Sequence, residues 1–276
     1  MQHIEDVFQG SEGVALYAQS WLPEGEAAAD IVILHGFGEH SNRYGYVAKF
    51  LTREGFAVHS FDLRGHGKSQ GRRGDVTAWD VYRQDIVLFL QKLTEKAPGR
   101  KIFLYGHSMG GLLALDYVLH GANHVGGLIA SGPLLEQARL SPVMVALSRL
   151  LLYVAPSMNV DVGLDATSIS RDQDVVTAYV EDPLVHSKAT PRMGHALEQT
   201  IDWCQEHAGE LNVPIYVVYG EDDRLVPPRG TEAFYTKLEY ADREKYIVPA
   251  GYHEPHNDLD KQDVMERIAA WLRAHL

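Results

Sequence analysis

The stretch Lys101-Ile-Phe-Leu-Tyr-Gly-His-Ser-Met-Gly-Gly-Leu-Leu-Ala-Leu115 decides the architecture. Five strand-forming residues, Lys101 to Tyr105, run into Gly106-His107-Ser108-Met109-Gly110, and Gly110 to Leu115 opens a helix directly behind them. A strand that passes into a helix over so few residues must turn sharply, and small residues on either side of Ser108 relieve the crowding in that turn. The serine hydroxyl is thereby exposed at a strand end, above a helix N-terminus that favours developing negative charge. A Gly-x-Ser-x-Gly match alone arises by chance in roughly one chain in ten of this length. The strand before it and the helix after it carry the reading.

Working outward, apolar runs at 31–34, 57–61, 101–105, 127–130, 215–219 and 245–248 read as strands, each with Gly, Asp or His within three residues of its end. Stretches of helical period lie between them at 43–54, 77–97, 110–120 and 229–238, with a last helix at 261–274. This alternation predicts an α/β fold with a mostly parallel central sheet and helices on both faces. In such sheets ligands bind outside the carboxyl ends of the strands, where these Gly, Asp and His residues fall. The interval 133–193 breaks the rhythm, holding no convincing strand but Pro142, Pro156, Pro183 and Pro191. It is expected to be an inserted helical cap, leaving 1–132 and 194–276 as the core. Between Pro142 and Pro156 only Ser148 and Arg149 are polar. A helix so apolar must be buried or lie against something greasy, and it is too short to cross a bilayer.

Composition narrows the function. In 276 residues with 45% hydrophobic and 22% charged side chains, the formal charge is −12. That charge repels nucleic-acid phosphates and anionic lipid surfaces and suits neutral substrates. The single cysteine, Cys204, excludes an internal disulfide and any zinc site built from several cysteines, and reads as a small buried residue. The segment from Met1 to Phe8 has neither the basic nor the apolar region of a secretory leader, so a cytoplasmic location is expected.

A serine hydroxyl needs a base, and the base needs an orienting carboxylate. The strand ending at Tyr219 runs into Gly220-Glu221-Asp222-Asp223-Arg224-Leu225-Val226, and the strand ending at Val248 runs into Pro249-Ala250-Gly251-Tyr252-His253. Asp223 and His253 are the candidate acid and base, with Asp222 and Glu221 as competing acids. The oxyanion of a tetrahedral intermediate needs backbone donors. The N–H of Met109 is one candidate, and the N–H of Phe37, in the loop His35-Gly36-Phe37-Gly38, is the other. His253-Glu254-Pro255-His256 lacks the spacing that puts two metal ligands on one helix face, so neither a metal nor an organic cofactor is expected.

Together these residues resemble the monoacylglycerol lipases and lysophospholipases among the serine α/β-hydrolases. The resemblance runs from about Gly13 to the end. It takes in His35-Gly-Phe-Gly-Glu-His-Ser-Asn-Arg-Tyr44, Asp62-Leu-Arg-Gly-His-Gly-Lys-Ser69, the serine turn, Gly220 to Val226, and Gly251-Tyr252-His253. In the cap interval it includes Ser168-Ile-Ser-Arg-Asp172 and Ala178-Tyr-Val-Glu-Asp-Pro-Leu184. It implies a catalytic triad of Ser108, Asp223 and His253, a mobile cap over an apolar acyl tunnel, and glycerol-binding roles for Glu39, Arg43, Tyr179 and His256. For these four a structural ion pair (Glu39 with Arg43), a packing role (Tyr179) and a supporting role (His256) stand as alternatives. Phe37 departs from the small residue common at that position and narrows the expected pocket. The expected reaction is hydrolysis of a small lipid ester, with peripheral contact between cap and membrane. A lysophospholipase, a short-chain carboxylesterase and a non-catalytic binding protein are the other readings.

Overall fold

The computed structural model describes residues 1–121, 124–137 and 150–276. In chain order the strands are β1 (Gln2–Gln9), β2 (Ala15–Leu22), β3 (Asp30–Leu34), β4 (Ala57–Phe61), β5 (Ile102–His107), β6 (Val125–Ser131), β7 (Val160–Asp161), β8 (Lys188–Ala189), β9 (Ile215–Gly220) and β10 (Arg243–Val248). The helices are α1 (Gly45–Arg53), α2 (Asp80–Lys96), α3 (Met109–Leu119), α4 (Gln173–Glu181), α5 (Pro191–Glu206), α6 (Pro228–Lys237) and α7 (Lys261–Ala274). Eight strands make one sheet in the order β1-β2-β4-β3-β5-β6-β9-β10, while β7 and β8 form a separate antiparallel pair. From β4 to β10 every neighbouring pair is parallel. This is the α/β-hydrolase fold.

Alternation along β3 shows how the sheet is covered. Ile31 and Ile33 face a layer built from Val47 and Leu51 of α1 and Val264 and Ile268 of α7. Val32 and Leu34 face the opposite layer, with Ile86 and Phe89 of α2, Leu112 and Leu113 of α3, and Leu197 and Ile201 of α5. Burial on both faces is why these strands read as unbroken apolar runs. Cys204 is buried in the second layer, as expected.

Three expectations need correction. The hairpin of β1 and β2 was not foreseen; only Phe8 of β1 is buried, so Gln2-His-Ile-Glu-Asp-Val-Phe-Gln9 lacks a strand's apolar signature. The interval 133–193 does contain strand, the short pair β7 and β8. Finally, α5 begins at Pro191 with Thr190 capping the N–H of Met193, so the boundary expected after Met193 falls in the first turn of a core helix. Of the apolar run from Pro142 to Pro156, residues up to 149 lie outside the described residues, and 150–154 are helical with Tyr153 89% exposed.

The interval is fastened to the rest at several points. Arg171 pairs with Asp258 and Asp260, Asp182 with His40, and Arg192 with Asp75. The N–H of His186 donates to Gly38 O at 2.8 Å, and the N–H of Thr190 to Gly74 O at 2.9 Å. Both glycines have positive φ, and a Cβ on either would lie 2.1 Å or less from a backbone carbonyl oxygen of this interval.

Candidate active site

Ser108 sits between β5 and α3 with φ 52° and ψ −118°, a backbone that side chains rarely adopt. The flanking glycines are sterically required. A Cβ on Gly106 would meet Gly110 O at 2.3 Å, and one on Gly110 would meet Leu34 O at 2.0 Å. The serine backbone is itself pinned, its N–H donating to Ser131 O and its carbonyl accepting from Leu112 and Leu134.

The loops after β9 and β10 bring the two candidate partners to it. Ser108 Oγ lies 2.9 Å from His253 Nε2, and His253 Nδ1 lies 2.7 Å from Asp223 Oδ2. The other oxygen of Asp223 accepts from the N–H groups of Leu225 and Val226, both at 2.9 Å, which fixes its plane. The competing acids point elsewhere: Asp222 and Glu221 are exposed, and Glu221 accepts from Ala250 N–H. Burial opposes a charge on His253, but the Asp223 carboxylate outweighs it and holds the imidazole above its ordinary pKa of 6.5. The arrangement can take the serine proton and stabilise the imidazolium that results.

Above the serine, Phe37 N–H has no acceptor among the described residues. The N–H of Met109, in the first turn of α3, has no partner within its own helix. These are the two donors expected from the sequence. The loop carrying Phe37 is held by Glu39, whose Oε1 accepts from Gly36 N–H at 2.6 Å and from the Tyr44 hydroxyl at 2.7 Å. A side chain at Gly36 would strike that oxygen at 2.8 Å.

Glu39 and Arg43 do form the ion pair the sequence allowed, and they also reach the pocket wall. Arg43 spans two carboxylates: it bonds Glu39, and it meets Glu254 in a two-pronged contact at 2.8 and 2.9 Å. Burial works against ionising Glu39, yet the Arg43 guanidinium keeps its carboxyl well below the usual carboxylate range. Tyr179, from α4, lies with its ring 4.6 Å from the Arg43 guanidinium carbon and lines the same pocket; burial pushes its hydroxyl up to about 12.

His256 is the exception among the expected substrate contacts. It is fully buried, stacked on Tyr44 at 5.0 Å and set 4.7 Å from His107, and it does not line the pocket. The aromatic packing draws it behind the wall, and burial lowers its pKa to about 4. Glu254 was missed in its place. Nothing in the sequence pairs residue 254 with Arg43, 211 positions away.

The pocket holds about 370 Å³. Glu39, Arg43, Tyr179 and Glu254 gather at one part of its wall near Ser108 and His253, and Leu134, Val162, Leu164, Ile169, Leu197 and Leu225 supply most of the remainder. Phe37 lines it too, its ring packed edge-on against His66 and His186.

The family model described as serine aminopeptidase, S33, matches residues 25–260, and the chain belongs to that family. The monoacylglycerol lipase of Mycolicibacterium smegmatis is 31% identical over 274 residues, covering 99% of this chain and 98% of the relative. Among solved structures, the Paleococcus ferrophilus monoacylglycerol lipase is 31% identical with a TM-score of 0.84, covering 95% of this chain and 99% of its own. A soluble variant of the Saccharomyces cerevisiae monoglyceride lipase, in complex with a substrate analog, is 27% identical with a TM-score of 0.87, covering 99% and 94%. The chain is a carboxylic ester hydrolase.

Proposed function

We propose that the chain hydrolyses monoacylglycerols, with Ser108, His253 and Asp223 as its catalytic triad. The observation that carries this reading is the division of a single pocket: polar and charged side chains beside Ser108 that can bond a polyol, and an apolar remainder for an acyl chain. His253 takes the proton of Ser108 as Oγ adds to the ester carbonyl, and the N–H groups of Phe37 and Met109 hold the oxyanion. His253 then protonates the departing glycerol oxygen. Water, deprotonated by the same imidazole, attacks the acyl-enzyme, and Ser108 recovers its proton as the fatty acid leaves.

Residues 133–193 act in this reading as a cap over the pocket, since Val162, Leu164, Ile169, Tyr179 and Ala189 all line it. Its exposed Leu150, Tyr153, Val154 and Met158 form the part that touches lipid aggregates. No helix among the described residues is long and apolar enough to cross a membrane, and in this reading the contact is peripheral. Tyr153→Glu is expected to weaken co-sedimentation with liposomes and leave hydrolysis of a dispersed short-chain ester unchanged; equal sedimentation would remove the docking role.

A panel of monoacylglycerols, lysophosphatidylcholine, p-nitrophenyl esters of rising chain length and an aminoacyl amide tests the substrate. Monoacylglycerols should give the highest kcat/KM, and Ser108→Ala should abolish both turnover and labelling by a fluorophosphonate. Preference for the lysophospholipid or the amide would reject the reading.

A further inference from the structure

Among the described residues, the pocket wall and the groups behind it carry more negative charge than positive. Glu39, Glu254 and Asp223 are three buried carboxylates, and Arg43, its side chain 10% exposed, is the one guanidinium paired with them among the described residues. Asp223 is engaged by His253, and the other titratable groups packed around this set, the histidines at 35, 107 and 256 and the tyrosines at 44, 105 and 179, are kept uncharged by burial. Glu39 is engaged in holding the loop carrying Phe37 and already faces Arg43. Glu254 is the surplus charge, and beyond Arg43 its only side-chain partner among the described residues is the neutral amide of Asn257, at 2.8 Å.

A surplus carboxylate in a poorly solvated wall acts on ligands through their charge. An uncharged ester is indifferent to it. The product is not: when water has added to the acyl carbonyl and the bond to Ser108 Oγ has broken, Ser108 regains its proton from His253. The released acid then loses its own proton to solvent, leaving a carboxylate in the pocket. We infer that Glu254 is a specificity-determining residue that makes this site reject anions, so that it expels its fatty-acid product and refuses esters bearing a phosphate monoester. The inference rests on the ester-hydrolase reading of the same pocket.

The test uses the whole chain and three decyl ligands, decanoate, decanol and decyltrimethylammonium, each measured at pH 8 by protection of Ser108 from a fluorophosphonate. In the wild type the cation is expected to bind roughly tenfold more tightly than the anion. In Glu254→Gln, which keeps an amide oxygen for Arg43, decanoate should bind roughly tenfold more tightly than in the wild type while decanol changes less than about twofold. Decanoate binding as tightly as the cation in the wild type, or an unchanged decanoate affinity in the variant, overturns the inference. If the variant does not fold, the wild-type comparison decides alone. Failure of the wild type to hydrolyse monodecanoylglycerol would instead reject the substrate reading, which these protection measurements do not depend on.

Discussion

At residue 108 the backbone is held in a conformation that a side chain resists, at a cost of about 1–3 kcal/mol, because the geometry that exposes the hydroxyl is also the one that crowds Cβ. Ser108→Gly should therefore melt higher than the wild type despite glycine's entropic cost of about 0.5–1 kcal/mol, with hydrolysis lost. Ser108→Ala should lose hydrolysis without that gain. Equal melting temperatures for the two variants would show that the turn stores no strain. The residues of this site differ in how far the sequence reveals them. Ser108 and Asp223 each follow a strand of strong apolar signature, and His253 follows the short apolar run Tyr246-Ile-Val248, so the topology alone puts them at one edge of the sheet. Glu254 and the placement of His256 were illegible, because each depends on which side of a loop a side chain takes, and that is settled by tertiary partners 211 residues away in the case of Glu254.

At the scale of elements, Arg43 joins three pieces of chain that the sequence shows as separate: the loop carrying Phe37 through Glu39, the loop after β10 through Glu254, and α4 through Tyr179. Removing one member of such a buried set leaves the others uncompensated, which costs about 3–5 kcal/mol. Arg43→Met is expected to lose about that much stability in urea unfolding and to lose activity with it; stability within about 1 kcal/mol of wild type would mean the three pieces are held by other contacts. The parallel strands and their helices were readable because each is buried on a defined face. The β1–β2 hairpin was not, since its outer strand contributes almost nothing to the core, and neither were β7 and β8, two residues each.

For the molecule as a whole, the histidines govern the response to acid. His66 and His107 are held well below 6.5 by burial, and His186 and His256 are lowered to about 4. Between pH 6.5 and about 4 the unfolded chain binds protons that the folded chain refuses, so their contribution is complete above 6.5 and is lost as pH falls through that window. His253, raised by Asp223, works in the opposite sense: its contribution is present below 6.5 and fades as pH rises through its folded value. With His35, also lowered by burial, five against one predict a melting temperature lower by about 10 °C at pH 5 than at pH 7.5. His256→Phe, which keeps the stack on Tyr44, should flatten that dependence, and a flat profile in the wild type would contradict it.

The two outer strands of the sheet have a consequence beyond the fold. Every open ladder is a template on which another chain can add a strand. Here β1 presents Glu5 and Asp6, paired with Lys68 and Lys92, and β10 presents Arg243, Glu244 and Lys245, the last paired with Glu232. An incoming strand would have to strip water from these groups along its whole length. The margins thus guard against growth into fibrils, and because they lie apart from the pocket, changes made to tune the chemistry leave that guard in place.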